Sequence, residues 1–281
     1  MPHPESRISN PGPIAFIGGG NMARSLVGAL LRGGVEPGAI RVAEPEAGLR
    51  DALARDFGIA TQARNADAIA DAGTIVLAVK PQVMRAVCAE IRDAIGASRP
   101  LIVSIAAGVR IDQLEDWLDA GLAIVRCMPN TPALIGAGAT GLIANARAST
   151  DERARAEAML AAAGRTAWIE REDLMDAVTA LSGSGPAYFF LLVEALEDAA
   201  VAEGLPRETA RMLASQTCLG AGRMLVESGE APAKLRERVT SPGGTTAAAL
   251  DAFDRGGLRA LVASAVAAAT ARGKALSSRN S

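Results

Sequence analysis

The sequence predicts an α/β fold: an N-terminal, doubly wound parallel sheet followed by an all-helical C-terminal domain. Up to about residue 170, short β-branched runs alternate with Ala-rich helical patterns. Strands that are apolar throughout and separated by helices are typical of a parallel sheet covered on both faces. After residue 172 the strand patterns stop, and long helical patterns follow with Pro near their starts and Gly past their ends.

These patterns divide the chain into a flexible tail (residues 1–13), a sheet domain (residues 14–171) and a helical domain (residues 172–281). The predicted strands are Ile14–Ile17, Ile40–Ala43, Thr74–Val79, Leu101–Ile105 and Ala123–Arg126, with shorter ones at Thr140–Ile143 and Thr166–Ile169. The predicted helices of the second domain are Pro186–Glu203, Pro206–Ser228, Pro232–Val239 and Thr245–Leu276, the last broken at Gly256 and Gly257. Their broad apolar faces would bury more against a second chain, so we expect a homo-oligomer.

Composition excludes several classes of function. The chain has 281 residues, with 29 Lys and Arg against 31 Asp and Glu and a formal net charge of −2. A near-neutral balance argues against nucleic-acid binding, which needs clustered positive charge. No run of roughly 18 uncharged apolar residues predicts a membrane span. The segment Met1–Pro13 lacks the apolar core of a signal peptide.

Cysteine and histidine usage limits the chemistry further. Cys88, Cys127 and Cys218 are widely spaced and form no CxxC pair, so we expect no disulfide framework and no metal site, and a reducing cytoplasm fits. The single histidine, His3, lies in the Pro-rich tail. Catalysis is therefore expected to proceed without a histidine triad or a histidine general base.

The first strand leads directly into a dinucleotide-binding pattern. Ile17 is followed by Gly18, Gly19, Gly20, Asn21, Met22 and Ala23, which is G-x-G-x-x-A between a strand and a helix. Gly18 permits a tight turn, Gly20 lets the backbone approach a pyrophosphate, and Ala23 allows close helix-to-sheet packing. A turn without a ligand is the alternative; the context favours a Rossmann-type site.

Glu44, after the second predicted strand, bears on the choice of cofactor. A carboxylate at this place would accept hydrogen bonds from a ribose 2′-OH and repel a 2′-phosphate. Glu46 adds to that repulsion, while Arg41 and Arg50 oppose it. The alternative is that Glu44 faces solvent. The predicted cofactor is therefore NADH or NADPH.

Two further strand ends carry polar residues. Ala78-Val79-Lys80-Pro81 ends one strand, and Met128-Pro129-Asn130-Thr131-Pro132 ends another. Ligands of parallel sheets bind beyond the carboxyl ends of strands, so Lys80 would line the nicotinamide cleft and Asn130 would bond its carboxamide. Each segment taken alone is only a loop.

The helical half holds two more segments. Leu181–Tyr188 contains two Ser and two Gly before a helix; a helix cap explains one Ser and Pro186, and close approach of a ligand explains the remainder. Ser241-Pro242-Gly243-Gly244-Thr245-Thr246 precedes another helix, where free N–H groups and hydroxyls would bind a small anion such as a substrate carboxylate. An ordinary capped loop is the alternative.

Taken together, these motifs resemble pyrroline-5-carboxylate reductases. The resemblance runs from Ile14 to about Lys274, with motifs in family order and spacing at Phe16–Ala23, Val79–Gln82, Ser104–Val109, Met128–Ala133, Ser182–Tyr188 and Ser241–Thr246. It implies NAD(P)H-dependent reduction of L-1-pyrroline-5-carboxylate to L-proline, the last step of proline biosynthesis. It also implies helical domains that interlock in a homodimer, with dimers able to form a ring.

The resemblance also implies roles for particular residues. Ile17 to Met22, Asn65 and Ala78 to Pro81 would contact the dinucleotide. Ser241, Thr245 and Thr246 would hold the substrate, often against the partner chain's cofactor. The family usually favours NADPH, which the pair Glu44 and Glu46 opposes.

A cyclic imine binds partly protonated and needs no strong enzymic acid, so positioning is expected to dominate catalysis. The Thr246 hydroxyl is the first candidate for bonding the ring nitrogen, and Lys80 is the second. One alternative is a reductase of another cyclic imine or of a hydroxy acid; the latter would need a lysine acid or base, for which only Lys234 and Lys274 are available in the helical domain. The other alternative is a non-catalytic dinucleotide sensor.

Overall fold

A computed structural model of the chain describes residues 12–95, 98–118 and 121–279. The predicted flexible tail, residues 1–13, lies outside the described residues except for Gly12 and Pro13, and so does His3.

One sheet organises the first part of the described chain. Its strands are β1 (Ile14–Ile17), β2 (Ile40–Ala43), β3 (Ala60–Gln62), β4 (Thr74–Leu77), β5 (Leu101–Ser104), β6 (Ile124–Met128), β7 (Gly138–Ala144) and β8 (Gly164–Trp168). They lie in the order β3-β2-β1-β4-β5-β6-β7-β8. Every neighbouring pair is parallel except β6 and β7, which are antiparallel.

The α-helices of the described residues are α1 (Asn21–Arg32), α2 (Ala47–Phe57), α3 (Asn65–Ile69), α4 (Pro81–Ile95), α5 (Ile111–Leu118), α6 (Thr150–Ala161), α7 (Met175–Val178), α8 (Gly185–Ala202), α9 (Arg207–Glu227), α10 (Pro232–Arg238), α11 (Thr245–Arg255) and α12 (Leu258–Arg279). A 3-10 turn spans Thr131–Ile135, and a π-helical turn spans Thr179–Gly183.

Apolar side chains cover both faces of the sheet. Val76 and Val103 belong to one core cluster, and their chain neighbours Ile75 and Ile102 belong to another. Successive side chains of a strand point to opposite faces of the sheet. A strand that is apolar on both sides therefore needs a hydrophobic layer packed against each face. The predicted fold class is confirmed.

Two details of the sheet differ from the sequence-based expectation. Strand β3 was not predicted, because it has only three residues, Ala60-Thr61-Gln62, none of them buried. Strand β7 runs antiparallel because nine residues separate Met128 from Gly138. A parallel return needs a crossover of roughly a dozen residues or more, so this short connection can only reverse the chain.

The described residues form two compact units. One contains the described residues up to Gly183 together with those from Ala269 onward; the other is Ser184–Ala268. In the second unit, α8 and α9 pack against each other. Arg207 and Arg211 of α9 bond the Glu197 carboxylate of α8 at 2.9 and 3.0 Å. The pKa of the Glu197 carboxyl is lowered, and the hydrogen bond from Arg211 is the largest cause.

Large apolar side chains of the second unit remain exposed in the single chain. On α8 they are Tyr188, Phe189, Phe190, Leu191, Leu192 and Leu196, and on α9 they are Met212, Leu213, Leu219, Met224, Leu225 and Val226. An apolar surface of this extent marks a protein interaction site. No helix among the described residues combines the length and the apolar character needed to cross a bilayer.

Candidate functional site

Gly18 fixes the turn that leaves β1. Its φ is +99°, a conformation that L side chains rarely adopt. A Cβ on Gly18 would lie 2.8 Å from the carbonyl oxygen of Ala78, the residue after β4. The Gly18 N–H donates to the carbonyl of Ala43 at 2.8 Å, and the Ala78 N–H donates to Ile17 at 2.8 Å. The ends of β1, β2 and β4 therefore meet at this glycine.

Beyond Gly18 the loop opens towards solvent. Gly20 precedes α1, is exposed, and has no atom within 4 Å of the position a Cβ would occupy. Among the described residues no side chain caps α1, so within that part of the chain its first N–H groups have no acceptor. Asn21 is exposed and Met22 is partly buried at the same helix start. Free N–H groups and the helix dipole make this edge suited to a phosphate.

Glu44 does not face solvent. Its side chain lies under the loop Gly18–Gly20, called here the glycine loop, and is only 9% exposed. Its carboxylate accepts from the Gly19 N–H at 2.8 Å and from the Glu46 N–H at 3.0 Å. The Arg50 guanidinium donates to the carbonyls of Glu44 and Pro45 at 2.8 and 2.7 Å. A buried carboxylate and a guanidinium thus lie together after β2.

The predicted contacts after β4 lie on the same edge of the sheet. Val79 is half-buried with its Cγ1 3.0 Å from the position of a Gly18 Cβ, while Lys80 is exposed immediately before Pro81, the first residue of α4. Asn65 begins α3 and donates to the Glu90 carboxylate at 2.9 Å. The structure therefore brings the segment Ala78–Pro81 to the glycine loop and places the Asn65 amide against α4.

Asn130 follows β6 and is 8% exposed. Its Nδ2 group donates to the carbonyl of Ser182 at 3.0 Å, and its Oδ1 accepts from the Ala139 N–H at 2.9 Å. Its predicted contact with the nicotinamide carboxamide stays a prediction.

The segment Ser241–Thr246 lies in the second unit, before α11. Gly243 has a φ of +70°, and the Gly244 N–H donates to the Ser241 carbonyl at 3.0 Å. Gly244 is the extended N-cap of α11, which no side chain caps. Ser241 and Thr245 are exposed, and Thr246 is half-buried. The first N–H groups of α11 and these hydroxyls are thus free to bind an anion.

The glycine-loop edge fits a dinucleotide. The open space at Gly20, the uncapped α1 and the polar groups after β2 match the needs of a pyrophosphate and a ribose. Within the described residues, no group of three or more His, Cys, Asp or Glu is arranged to hold a metal ion.

The buried cysteines are not suited to nucleophilic chemistry. Burial raises the pKa of Cys88 to about 12 and raises that of Cys127, which lies in β6. Both thiols therefore stay protonated at neutral pH.

Sequence reasoning missed two features of this region. It predicted that Arg50 lies near Glu44 but not that Arg50 donates a hydrogen bond to the Glu44 carbonyl. The spacing could have indicated this bond, because Arg50 follows Glu44 by six residues and lies in the first turn of α2. It did not predict the π-helical turn Thr179–Gly183, in which the Thr179 and Ser182 hydroxyls bond carbonyls four residues earlier, because Thr and Ser make such bonds in ordinary helices as well.

Gly20 tests the dinucleotide site without disturbing the fold. We expect Gly20→Ala to fold with at most a small loss of Tm, because its methyl group meets no protein atom but alanine is a weaker N-cap than glycine. The same methyl group would occupy the approach of the pyrophosphate and raise the dinucleotide Kd at least about tenfold. Gly48→Ala, equally unobstructed near the start of α2, is the control and should leave Kd unchanged. Titration calorimetry with NADP⁺ and NAD⁺ measures both; an unchanged Kd in Gly20→Ala would place the dinucleotide elsewhere.

Two family models match the chain. Residues 172–276 match the model described as pyrroline-5-carboxylate reductase dimerisation, and residues 13–108 match the one described as NADP oxidoreductase, coenzyme F420-dependent.

Relatives with known names match along almost the whole chain. The pyrroline-5-carboxylate reductase of Pseudomonas aeruginosa is 51% identical over 259 residues, covering 92% of this chain and 94% of that protein. That of Pisum sativum is 39% identical, covering 96% and 98%. A solved pyrroline-5-carboxylate reductase from Coxiella burnetii superposes with a TM-score of 0.92 at 43% identity, covering 95% and 99%. The Plasmodium falciparum structure with NADP bound gives a TM-score of 0.83 at 29% identity, covering 94% and 98%. The resemblance read from the motifs is thereby confirmed, and the chain belongs to the pyrroline-5-carboxylate reductase family.

Proposed function

We propose that this chain reduces L-1-pyrroline-5-carboxylate to L-proline with NADPH or NADH, the last step of proline biosynthesis. The observation that carries the proposal is the 51% identity to a pyrroline-5-carboxylate reductase over 92% of the chain. The glycine-loop edge and the segment Ser241–Thr246 supply the two binding regions that such a reaction needs.

The residues around the glycine loop would hold the dinucleotide. Gly20 and the first N–H groups of α1 would bind the pyrophosphate, Glu44 and Arg50 would lie by the adenosine ribose, and Ala78–Pro81 would lie on the nicotinamide side. When bound, the dinucleotide supplies a hydride for the imine carbon.

The segment Ser241–Thr246 would bind and orient the substrate. The N–H groups of Thr245 and Thr246 at the start of α11 would donate to the carboxylate, whose negative charge the helix dipole stabilises. The Thr246 hydroxyl would donate to or accept from the ring nitrogen and steer the proton that ends there. Because a protonated imine is already an electrophile, holding it in place is the main contribution of these residues.

Lysine chemistry has weaker support. Lys80 is exposed, and the pair of Lys234 with Glu237 at 3.2 Å on α10 is also exposed. An acid or base for hydroxy-acid oxidation needs a group held in place beside the substrate, and this exposed surface ion pair does not provide one. The hydroxy-acid alternative is therefore the weaker one, and another cyclic imine or a dinucleotide sensor are the remaining alternatives.

The division of labour follows the two halves of the chain. We assign dinucleotide binding to residues 14–171 and substrate binding and dimerisation to residues 172–281. The chain oligomerises, as its dimerisation region and the exposed apolar faces of α8 and α9 indicate. We also propose that the dimers assemble into a ring. A cytoplasmic location is proposed because the three cysteines are unpaired and widely spaced, which suits a reducing compartment.

Steady-state oxidation of NADPH and NADH with 1-pyrroline-5-carboxylate tests the reaction, and Thr246 variants test the mechanism in the same assay. We expect Thr246→Ala to lower kcat/KM roughly 10- to 100-fold, since it removes the group that orients the imine. Thr246→Ser keeps the hydroxyl and should retain most of the activity.

Equal activity of the two Thr246 variants would remove the hydroxyl from the mechanism. No turnover by a wild-type chain that binds dinucleotide would favour another imine or the sensor instead.

Glu44 is expected to govern the choice between the two cofactors. Glu44→Gln removes a buried negative charge beside the 2′ position, so the ratio of Kd for NADP⁺ to Kd for NAD⁺ should fall roughly fivefold, equivalent to about 1 kcal/mol of charge repulsion. Glu46→Gln removes an exposed charge two residues away and should change the ratio much less. Titration of each variant with both cofactors measures it; equal ratios in wild type and Glu44→Gln would contradict the role.

A further inference from the structure

Asn130 joins two segments that are far apart in the sequence. Its amide donates to the Ser182 carbonyl at 3.0 Å while its oxygen accepts from the Ala139 N–H at 2.9 Å. The side chain is 8% exposed, and its partners Ala139 and Ser182 are half-buried. A buried amide that loses one such partner leaves the other group unsatisfied, so the bridge strongly favours one placement of both segments.

The segment on the far side of the bridge is the π-helical turn Thr179–Gly183. Its hydroxyls bond their own helix, with Thr179 to the Met175 carbonyl at 2.9 Å and Ser182 to the Val178 carbonyl at 3.0 Å. A π turn has wider hydrogen-bonded rings than an α-helix, is rare, and is frequently found at functional sites. The Asn130 amide therefore supplies a hydrogen bond from the end of β6 to this turn.

The segment on the near side belongs to the dinucleotide edge. Asn130 follows β6 and precedes the turn Thr131–Ile135, which packs against α1. The helix α1 starts at the glycine loop, and the carboxyl ends of β1, β4, β5 and β6 lie at one edge because these strands are parallel. The bridge therefore connects the π turn to the edge at which a dinucleotide binds.

We propose that Asn130 is a positioning residue for the reduction. By fixing the Ser182 carbonyl, it sets where the chain from Thr179 to Gly183 lies relative to the nicotinamide end of the cofactor. It acts through that backbone, and the adenosine end remains held by the glycine loop. This inference rests on the proposed function.

A second asparagine provides a matched control. Asn145 follows β7 at the opposite end of the β6–β7 pair and is 9% exposed. Its Oδ1 accepts from the N–H groups of Ile124 and Ala148 at 3.1 and 3.2 Å, and its Nδ2 donates to the Leu122 carbonyl at 2.9 Å. Its Nδ2 also donates to the Glu115 carboxylate at 2.8 Å. Asn145 is therefore buried like Asn130 and more extensively bonded, but it lies away from the carboxyl edge.

The experiment compares Asn130→Ala, Asn130→Asp and Asn145→Ala in the full-length oligomer. Both alanine variants should lower Tm, because each leaves buried backbone groups unpaired. Only the Asn130 variants should lower kcat, roughly 10- to 100-fold, the size of effect produced by a misplacement of about 1 Å. Asn130→Asp keeps an acceptor for Ala139 but cannot donate to Ser182 when ionised, so it isolates the bond to the π turn.

A binding measurement separates this proposal from the proposed function. The Kd for NADPH should change less than about threefold in the Asn130 variants, while the fluorescence of bound NADPH, which reports the surroundings of the nicotinamide ring, should differ from wild type. Asn145→Ala should match wild type in both. The fluorescence arm holds even if 1-pyrroline-5-carboxylate is not the substrate.

Three outcomes would overturn the proposal. Wild-type fluorescence and kcat in Asn130→Asp would show that the bond to Ser182 has no positioning effect. Parallel losses of kcat and Tm in Asn130→Ala and Asn145→Ala would show a purely structural role. A large rise in the NADPH Kd would show direct contact with the cofactor.

Discussion

The approach of the Gly18 backbone to the carbonyl of Ala78 is the constraint on which the dinucleotide edge depends. A side chain at residue 18 would collide with that carbonyl, and the positive φ there is unfavourable for any residue with a Cβ. Because the strand order places β1 between β2 and β4, the loop leaves the sheet where successive connections diverge. Open α/β sheets bind ligands at this point, beyond the carboxyl ends of their strands.

Once the loop is fixed, its neighbours determine what the edge can recognise. The Glu44 carboxylate accepts from the Gly19 N–H and so stabilises the loop, and it is the same carboxylate that we propose to lie near the ribose. If the proposed role of Glu44 holds, one residue couples the stability of the loop to the choice of cofactor, and Arg50 places a positive group beside it. The second unit differs from the first in the apolar surface that it exposes. Its long helices expose apolar faces that a single chain does not cover, and the dimerisation family to which they belong accounts for that surface.

Most of the fold followed from the periodicity of apolar residues, since a strand with both faces buried has a distinctive composition. The strand β3 escaped notice because three half-polar residues at a sheet edge resemble a loop. The direction of β7 depends on the length of a connection, which strand patterns do not encode. At the site, the glycine loop and the segment Ser241–Thr246 were visible as motifs. The hydrogen bonds of Glu44 and Asn130 were not, because a partner 25 or 52 residues away is set by tertiary packing.

Transfer of a labelled hydride tests the central claim most directly. The chain is incubated with 1-pyrroline-5-carboxylate and NADPH deuterated at the nicotinamide C4, on each face in turn, and the proline formed is analysed by mass spectrometry and NMR. The account predicts one deuterium from one face only, located on the ring carbon that was doubly bonded to nitrogen. Unlabelled proline from both deuterated forms of NADPH, or deuterium at any other carbon of proline, would contradict direct hydride transfer to the imine.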